Sequence, residues 1–150
     1  MMECTTAASV ITYVSKIELD SAKLYEQWGK LNEKLRDSFE AFAKANRKNE
    51  KRVKRAYYSV VSDALETGFC FKNLTTDIIM PDFSKAVSVS AMVKLALELE
   101  RGIQQFYVGA ARSSRALLGD VAREMEKIAQ ERSKRIEQLQ TKSETSSCRP

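Results

Sequence analysis

Arg132 and Arg135 occupy positions where the hydrophobic repeat of the chain would place buried side chains. They lie in QERSKRIEQL, residues 130–139, between apolar positions that recur every three or four residues. At positions i and i+3 of a helix the two guanidinium groups share one face. An arginine donates hydrogen bonds, accepts none and stays protonated. Two buried arginines would therefore need anionic partners inside the protein.

The absence of histidine limits the other chemistry open to the chain, which contains 0 His. Imidazole is the commonest transition-metal ligand and general base. Catalysis by Ser-His-Asp or Cys-His groups is therefore excluded, and no glycine loop for phosphate is present. Cys4, Cys70 and Cys148 are too few and too scattered for a disulfide framework or a zinc knuckle.

Length and composition indicate one soluble globular domain over residues 1–150. Apolar residues make up 43% and charged residues 30% of the chain. No apolar run approaches the roughly 18 residues that a membrane span requires, and the first residues do not resemble a signal peptide. We therefore expect a cytoplasmic protein without membrane segments.

Apolar residues at alternating spacings of three and four predict four helices packed in a left-handed bundle. The runs cover residues 10–31, 35–60, 89–117 and 121–139. Asn32 is a suitable cap for the second helix, and Gly119-Asp120 marks the break between the third and the fourth. Because both connections are short, each pair of helices should form an antiparallel hairpin.

A long crossover should connect the two hairpins. Residues 67–88 contain Gly68 and Pro81 and show no helical period. About 20 residues at up to roughly 3.3 Å each can run the length of a bundle. The prediction is an all-α, up-down-down-up four-helix bundle with its helical core at about 9–140 and a disordered tail at about 141–150.

The two hairpins are similar to each other in sequence. Glu18 lies seven residues before Tyr25, and Glu100 lies seven residues before Tyr107, at an offset of 100 − 18 = 82. We interpret this as an internal duplication. The aromatic residues themselves are interpreted as core packing, and they are Tyr25, Trp28, Phe106 and Tyr107.

The second and fourth helices also correspond, at an offset of 125 − 39 = 86 that aligns their apolar positions. This offset places Asn46 and Asn49 opposite Arg132 and Arg135. Polar residues therefore occupy the same two seam positions in both hairpins. Such residues can also serve only to fix the register of a bundle or lie near its solvated end.

The repeated pattern resembles the ferritin-like superfamily, and the rubrerythrin-type proteins most. The resemblance covers residues 9–140 and is carried by LELERGIQQFY in the third helix and, more weakly, by SKIELDSAKLYEQW in the first. In such proteins a Glu from each of two helices and a Glu-x-x-His from each of the other two hold two metal ions. The resemblance implies a bundle of the same topology.

The six positions that correspond to this metal site are Glu18, Asn46, Asn49, Glu100, Arg132 and Arg135. The lone glutamates are present, but both Glu-x-x-His motifs are replaced, one by Asn46 and Asn49 and the other by the two arginines. We expect the arginines to occupy the metal volume and to pair with the glutamates, while the asparagines complete the hydrogen bonding. The resulting cluster is formally neutral and needs no metal or other cofactor. If a metal binds after all, its ligands would be Glu18 and Glu100.

Residues 44–55, KANRKNEKRVKR, contain seven basic residues and one acid. We interpret this segment as a solvated helix surface, with Glu50 pairing to Lys54 at i+4. Contact with nucleic-acid phosphates is the less favoured interpretation, because no base-reading motif is present.

Three functions follow from these observations. The favoured one is a non-catalytic bundle that lost its metal site and acts as a structural or protein-interaction module, in our expectation a homodimer. The alternative is a di-iron oxidoreductase or iron-handling protein using Glu18 and Glu100 with a further acid such as Glu50 or Glu131. The third is nucleic-acid binding through the basic second helix, which rests on analogy of fold.

Overall fold

The four runs of apolar spacing form four helices in the part of the chain that this computed structural model describes, residues 4–60, 70–72, 74, 78–82, 88–115 and 118–147. The helices are α1 (Ala7–Leu31), α2 (Glu33–Val60), α3 (Val89–Ser114) and α4 (Gly119–Ser147). Each is amphipathic, and their apolar faces meet in one core. The all-α four-helix bundle predicted from periodicity is confirmed.

Side-chain caps define where the helices begin. The Thr6 hydroxyl oxygen accepts a hydrogen bond from the Ser9 backbone N–H at 3.1 Å, and Ser88 caps α3 in the same way. Asn32 separates α1 from α2, and its side-chain oxygen accepts from the Lys34 backbone N–H at 3.0 Å. This is the cap that the sequence predicted.

Contacts between the helices give their directions. Tyr25 of α1 contacts Glu100 of α3, whereas Glu18, earlier in α1, contacts Tyr107, later in α3. The two helices are therefore antiparallel. Because α1 also turns back directly into α2 at Asn32, α2 and α3 run the same way. The topology is up-down-down-up, and the chain must return along the bundle between α2 and α3.

The described residues of the crossover lie in a line along α3. Leu74 packs 3.7 Å from the position that a Cβ would occupy on Gly109, and Ile78 packs 3.6 Å from the same position on Gly102. This part of the crossover therefore runs antiparallel to α3. None of the described residues between 60 and 88 is helical, in agreement with the predicted crossover at 67–88.

Two short strands, which the sequence analysis did not predict, join the crossover to the start of the chain. Strand β1 (Cys4–Thr6) pairs antiparallel with β2 (Cys70–Lys72), with Thr5 opposite Phe71. Phe71 and the adjoining Leu74 are buried in the core. The strand pair thus anchors the beginning of the crossover at the end of the bundle where α1 starts.

The prediction of a disordered tail at 141–150 is wrong for residues 141–147, which continue α4. The sequence has no Gly or Pro between Asp120 and Ser147 that would end the helix. The Thr141 hydroxyl donates a hydrogen bond to the Glu137 carbonyl one turn earlier at 3.1 Å. Residues 148–150 lie outside the described part of the chain.

The core is rich in aromatic rings at the end where α1 turns into α2. Tyr25, Trp28, Phe39 and Phe42 pack against one another with ring centroids 5.1–6.1 Å apart. Tyr107 and Phe106 are likewise buried, as predicted. No helix in the described ranges has an apolar stretch long enough to cross a membrane.

Candidate functional site

The structure buries, in the middle of the bundle, the six polar positions singled out in the sequence, and joins five of them in one hydrogen-bonded cluster. Each of the four helices contributes at least one, and they are Glu18, Asn46, Asn49, Glu100, Arg132 and Arg135. All six are buried, and Glu18, Glu100 and Arg132 have no solvent exposure at all. The interpretation that the arginines merely lie at a solvated end of the bundle is thereby excluded.

Arg132 lies between the two glutamates and pairs with both. Its Nη1 atom donates to both carboxylate oxygens of Glu100, each at 2.9 Å. Its Nη2 atom donates to Oε1 of Glu18. A single planar guanidinium therefore joins α4 to α1 and α3, which are the helices that carry the acids.

Arg135 lies on the side of Glu100 that faces α2. Its Nη1 atom donates to Oε2 of Glu100 at 3.2 Å and to the side-chain oxygen of Asn46 at 2.7 Å. The centre of its guanidinium lies 4.4 Å from the centroid of the Phe42 ring, which is a favourable cation–π distance. The guanidinium thus has a carboxylate, an amide and an aromatic face around it.

Asn46 extends the network to α1. Its amide nitrogen donates to the Ser21 hydroxyl at 2.8 Å, and that hydroxyl donates to the backbone carbonyl of Ile17 at 2.6 Å. Ser21 is fully buried. Ser21 lies within the apolar run at residues 10–31, and a serine among apolar seam residues is a signal for a buried hydrogen-bond partner.

Asn49 does not complete the cluster in the way that the sequence predicted. Its side-chain oxygen accepts from Arg52 at 3.0 Å, and Arg52 also pairs with Glu124 and Glu131 of α4 at 2.9 Å each. Asn49 therefore joins a second, half-exposed network one turn further along α2. Its amide nitrogen is buried and has no hydrogen-bond partner among the described residues.

Two tyrosines that the sequence analysis interpreted only as core packing belong to the cluster. The Tyr107 hydroxyl donates to Oε2 of Glu18 at 2.7 Å, and the Tyr25 hydroxyl donates to Oε2 of Glu100 at 2.5 Å. Under the offset of 82, Glu18 corresponds to Glu100 and Tyr25 corresponds to Tyr107. Each glutamate is therefore bound by the tyrosine of the other hairpin, so that corresponding residues of the two hairpins make reciprocal contacts.

The surroundings shift the pKa values of the two buried carboxyl groups in opposite directions. Burial raises the pKa of Glu18, and the attraction of Arg132 and the hydrogen bond from Tyr107 offset this only in part. Burial also acts to raise the pKa of Glu100, but Arg132, Arg135 and the Tyr25 hydroxyl together hold it below its usual value. The difference follows from the geometry, because Glu100 is the only one of the two glutamates that accepts a hydrogen bond from Arg135.

The same charges fix the protonation of the other groups. Burial, followed by the nearby carboxylates, raises the pKa of Tyr25 and of Tyr107 well above the usual value, so both hydroxyls keep their protons as donors. Burial disfavours charge on Arg132, but Glu100 and Glu18 more than compensate and raise its pKa. With both carboxyl groups ionised the cluster has two positive and two negative charges, which is the balance that a buried position requires.

This arrangement leaves the carboxylates no free oxygen for other chemistry. All four oxygens of Glu18 and Glu100 already accept a hydrogen bond from an arginine or a tyrosine. A metal ion would have to displace Arg132, whose fixed positive charge repels it. Within the described residues, no three His, Cys, Asp or Glu side chains come together in a way that could hold a metal.

The further acids considered as substitute ligands lie elsewhere. Glu50 accepts from Ser15 and pairs with Lys54 at 2.7 Å, as predicted for an i,i+4 pair. Glu131 points away from the cluster and pairs with Arg52. Neither glutamate contacts the cluster in the structure.

Comparison of the chain with protein-family models, curated proteins and solved structures finds no match to any of them.

Proposed function

We propose that this protein is a non-catalytic four-helix bundle in which a buried ion-pair cluster stands where related bundles would hold two metal ions. The observation that carries the proposal is the position of Arg132, whose guanidinium bridges Glu18 and Glu100 at zero exposure. A cation that belongs to the protein already neutralises these acids. The protein would then act through its surfaces, as a structural or protein-interaction module.

The sequence resemblance to ferritin-like, rubrerythrin-type proteins supports this proposal as an account of origin. The two lone glutamates remain, and the four residues of the two Glu-x-x-His motifs have become two amides and two guanidinium groups. A pair of divalent ions introduces about four positive charges, which the usual site balances with four carboxylates, while neutral imidazoles complete the coordination. Arginine can neither ligate a metal nor lose its proton, so this donor set does not fit a di-metal centre.

The cluster has a structural role under this proposal. It joins all four helices through hydrogen bonds whose geometry depends on one register of the bundle. Buried polar groups can specify register at a cost in stability. We propose further that the protein works in the cytoplasm and associates as a two-fold dimer, the commonest assembly of soluble proteins.

The proposal is tested by measuring the metal content and the oligomeric state of the full chain. Protein expressed with added iron and manganese is purified without chelators, and elemental analysis is combined with light scattering. We expect metal well below one equivalent per chain and a mass of two chains. About two irons per chain would instead establish the di-iron alternative and overturn the proposal.

A variant with both arginines changed to leucine serves as the control for the metal measurement. This variant keeps Glu18 and Glu100 and loses the two internal cations. If the arginines are what excludes metal, the variant should take up added Co²⁺ more tightly than the natural chain does. Equal and negligible uptake by both proteins would show that the arginines are not what prevents binding.

A further inference from the structure

The basic segment of α2, residues 44–55, separates into two groups of side chains in the folded protein. Three of its seven cations form ion pairs: Arg47 with Glu26 of α1, Arg52 with Glu124 and Glu131 of α4, and Lys54 with Glu50. The first two of these pairs neutralise acids on the neighbouring helices α1 and α4, and the third neutralises Glu50 of α2 itself. The remaining four cations are Lys44, Lys48, Lys51 and Arg55.

These four side chains, which we name the cationic stripe, lie on one line along the exposed face of α2. Their spacing of four, three and four residues confines them to a sector of about 60° and extends over about 16 Å of helix. All four are exposed, and none takes part in an ion pair within the described residues. Between residues 41 and 59 the only acid is Glu50, which is buried and already paired.

The first helix does not present such a surface, although it also carries a row of cations. The exposed lysines Lys16, Lys23 and Lys30 of α1 share a face, but Asp20 and Glu26 lie within the same turns. These two acids alternate with the three lysines along the helix at spacings of three and four residues. Positive charge on α1 is therefore locally offset by Asp20 and, in part, by Glu26, which also pairs with Arg47 of α2.

The fourth helix is mixed in charge as well. Two of its exposed cations, Arg123 and Lys127, pair with Asp120 and Glu124. The third, Lys134, has Glu131 and Glu137 three residues away on either side. The cationic stripe of α2 is thus a concentration of positive charge on one face, and it is not a consequence of the net charge of +5.

We propose that the cationic stripe binds the phosphate backbone of a nucleic acid. A duplex carries one backbone charge per about 1.7 Å of axis with both strands counted, so about 16 Å of axis carries about ten phosphates, more than the four that the cations would contact. The stripe has no row of apolar side chains beside it that could enter a bilayer, and Tyr58, at its end, is the single large exposed hydrophobic residue described on α2. The four cations lie in a straight row at regular spacing, which fits the regular spacing of charge along a nucleic-acid backbone. Contacts of this kind bind phosphates without reading the base sequence.

The test measures the affinity of the full chain for a DNA duplex of about 30 base pairs as a function of salt concentration. With four phosphate contacts the logarithm of the binding constant should fall with a slope of about −3.6 against the logarithm of salt concentration. Affinity should therefore decrease about 150-fold between about 50 and 200 mM salt. A single-stranded oligonucleotide of equal length should show the shallower slope of about −2.8.

Two triple variants separate the stripe from net charge. One carries Lys44→Gln, Lys48→Gln and Lys51→Gln; the matched control carries Lys16→Gln, Lys23→Gln and Lys30→Gln. Each lowers the net charge from +5 to 5 − 3 = +2, and all six side chains are exposed, so both should fold. The stripe variant keeps one cation of the stripe, so the magnitude of its salt slope should fall to about 0.9. Its affinity should then decrease only about 3- to 4-fold over the same change in salt concentration, whereas the control should keep the slope of the natural chain.

Three results would overturn the proposal. Equal losses in the two triple variants would make the binding a general effect of charge. If neither the duplex nor the single strand binds measurably at about 50 mM salt, nucleic acid is not the ligand of the stripe. Stripe-dependent binding to vesicles of phosphatidylcholine and phosphatidylserine, without binding to either oligonucleotide, would assign the surface to an acidic membrane.

Discussion

At the scale of single residues, Glu18 and Glu100 occupy corresponding positions in two hairpins of similar sequence but have different surroundings. Glu100 accepts from Arg132, Arg135 and Tyr25, whereas Glu18 accepts from Arg132 and Tyr107. One carboxylate is therefore held by two cations and the other shares one of them. The opposite directions of their pKa shifts express this difference.

Replacing each glutamate in turn by glutamine should expose this asymmetry. Glu100→Gln leaves Arg135 without its carboxylate and should lower the free energy of unfolding by about 3–5 kcal/mol. Glu18→Gln removes a carboxylate whose neutral form burial already favours, and should cost no more than about 2 kcal/mol. Urea unfolding at neutral pH measures both. Equal costs, or a larger cost for Glu18→Gln, would contradict the assignment of Arg135 to Glu100.

The effect of acid on these two groups has a definite sign. Because the pKa of Glu100 is lowered in the folded state, its stabilisation is present above its unfolded value and is lost as the pH falls through the folded value. Glu18, with a raised pKa, opposes folding above its unfolded value, so its contribution becomes more favourable as the pH falls through the folded one. Between neutral pH and the usual carboxyl range, the natural chain should therefore gain stability relative to Glu18→Gln.

Alkaline titration tests the buried tyrosine hydroxyls. Folding raises the pKa of Tyr25 and Tyr107, so their contribution to stability is complete below the usual tyrosine range and is lost as the pH rises towards the folded values. We expect the ultraviolet absorbance of tyrosinate to show that these two of the 5 tyrosines ionise only with unfolding. Phenylalanine at both positions should remove that step. Titration of all tyrosines near their usual pKa in the folded protein would show that the two hydroxyls are not held by carboxylates.

The residues of the cluster were predictable from the sequence to different degrees. Arg132 and Arg135 were identifiable because a permanent cation at a seam position conflicts with the apolar repeat around it. Tyr25 and Tyr107 were not, because a tyrosine at a seam position satisfies that repeat with its ring whether or not its hydroxyl has a partner. Their role depends on the register between α1 and α3, which no local pattern contains.

At the scale of elements, the end of α1 contains a residue that local propensity disfavours. Gly29 lies inside the helix, where glycine costs about 0.5–1 kcal/mol relative to alanine. A Cβ added there would meet the Arg36 backbone at 3.6–3.7 Å and the Phe39 Cβ at 3.7 Å, which are ordinary contact distances. Alanine therefore fits without displacing α2.

We expect Gly29→Ala to raise the free energy of unfolding by about 0.5–1 kcal/mol, because it restores helix propensity and fills a small space. Gly29→Leu is the matched control: its larger side chain would have to displace the backbone of α2 at Arg36, and it should destabilise the protein. Thermal and urea unfolding of the two variants give the comparison. A loss of stability in the alanine variant would mean that the approach of α1 to α2 tolerates no side chain at all.

The helices were predictable because their period persists over many turns, and Asn32 was predictable because caps have a local chemical signature. Strands β1 and β2 were not predictable, since three residues each cannot show an alternating pattern. The end of α4 was placed too early because a polar composition was interpreted as disorder. Residues 141–147 are polar on a helix that lacks Gly and Pro after its first residue, and polarity alone does not end a helix.

At the scale of the whole molecule, topology brings the acids and the arginines to one level. The crossover makes α3 antiparallel to α1, so the corresponding glutamates and tyrosines of the two hairpins meet in reciprocal pairs across the bundle. The up-down-down-up order could be predicted from the length of residues 67–88, because two short connections and one long one leave few arrangements. The proposed loss of a metal site involves residues from all four helices. It can be tested by substituting metal ligands at the positions where this chain has amides and guanidinium groups.

Introducing two Glu-x-x-His motifs should create a metal site if the bundle has, as proposed, the geometry of a di-metal protein. The variant carries Asn46→Glu, Asn49→His, Arg132→Glu and Arg135→His. With the two native glutamates it has four carboxylates, whose charge balances two divalent ions. Without metal these buried carboxylates repel one another, so the free variant should be much less stable than the natural chain.

Binding of metal to the folded form alone would reverse that loss, because a ligand that binds only the native state stabilises it. We therefore expect the midpoint of thermal unfolding of the variant to rise steeply with added Co²⁺, with two equivalents bound, while the midpoint of the natural chain stays constant. A variant with only Arg132→Leu and Arg135→Leu separates removal of the cations from supply of ligands, and its response should be the weaker one. If the four-substitution variant remains unfolded at every metal concentration, the six positions do not superpose on a di-metal site, and the cluster arose as a polar core with no metal-binding ancestor.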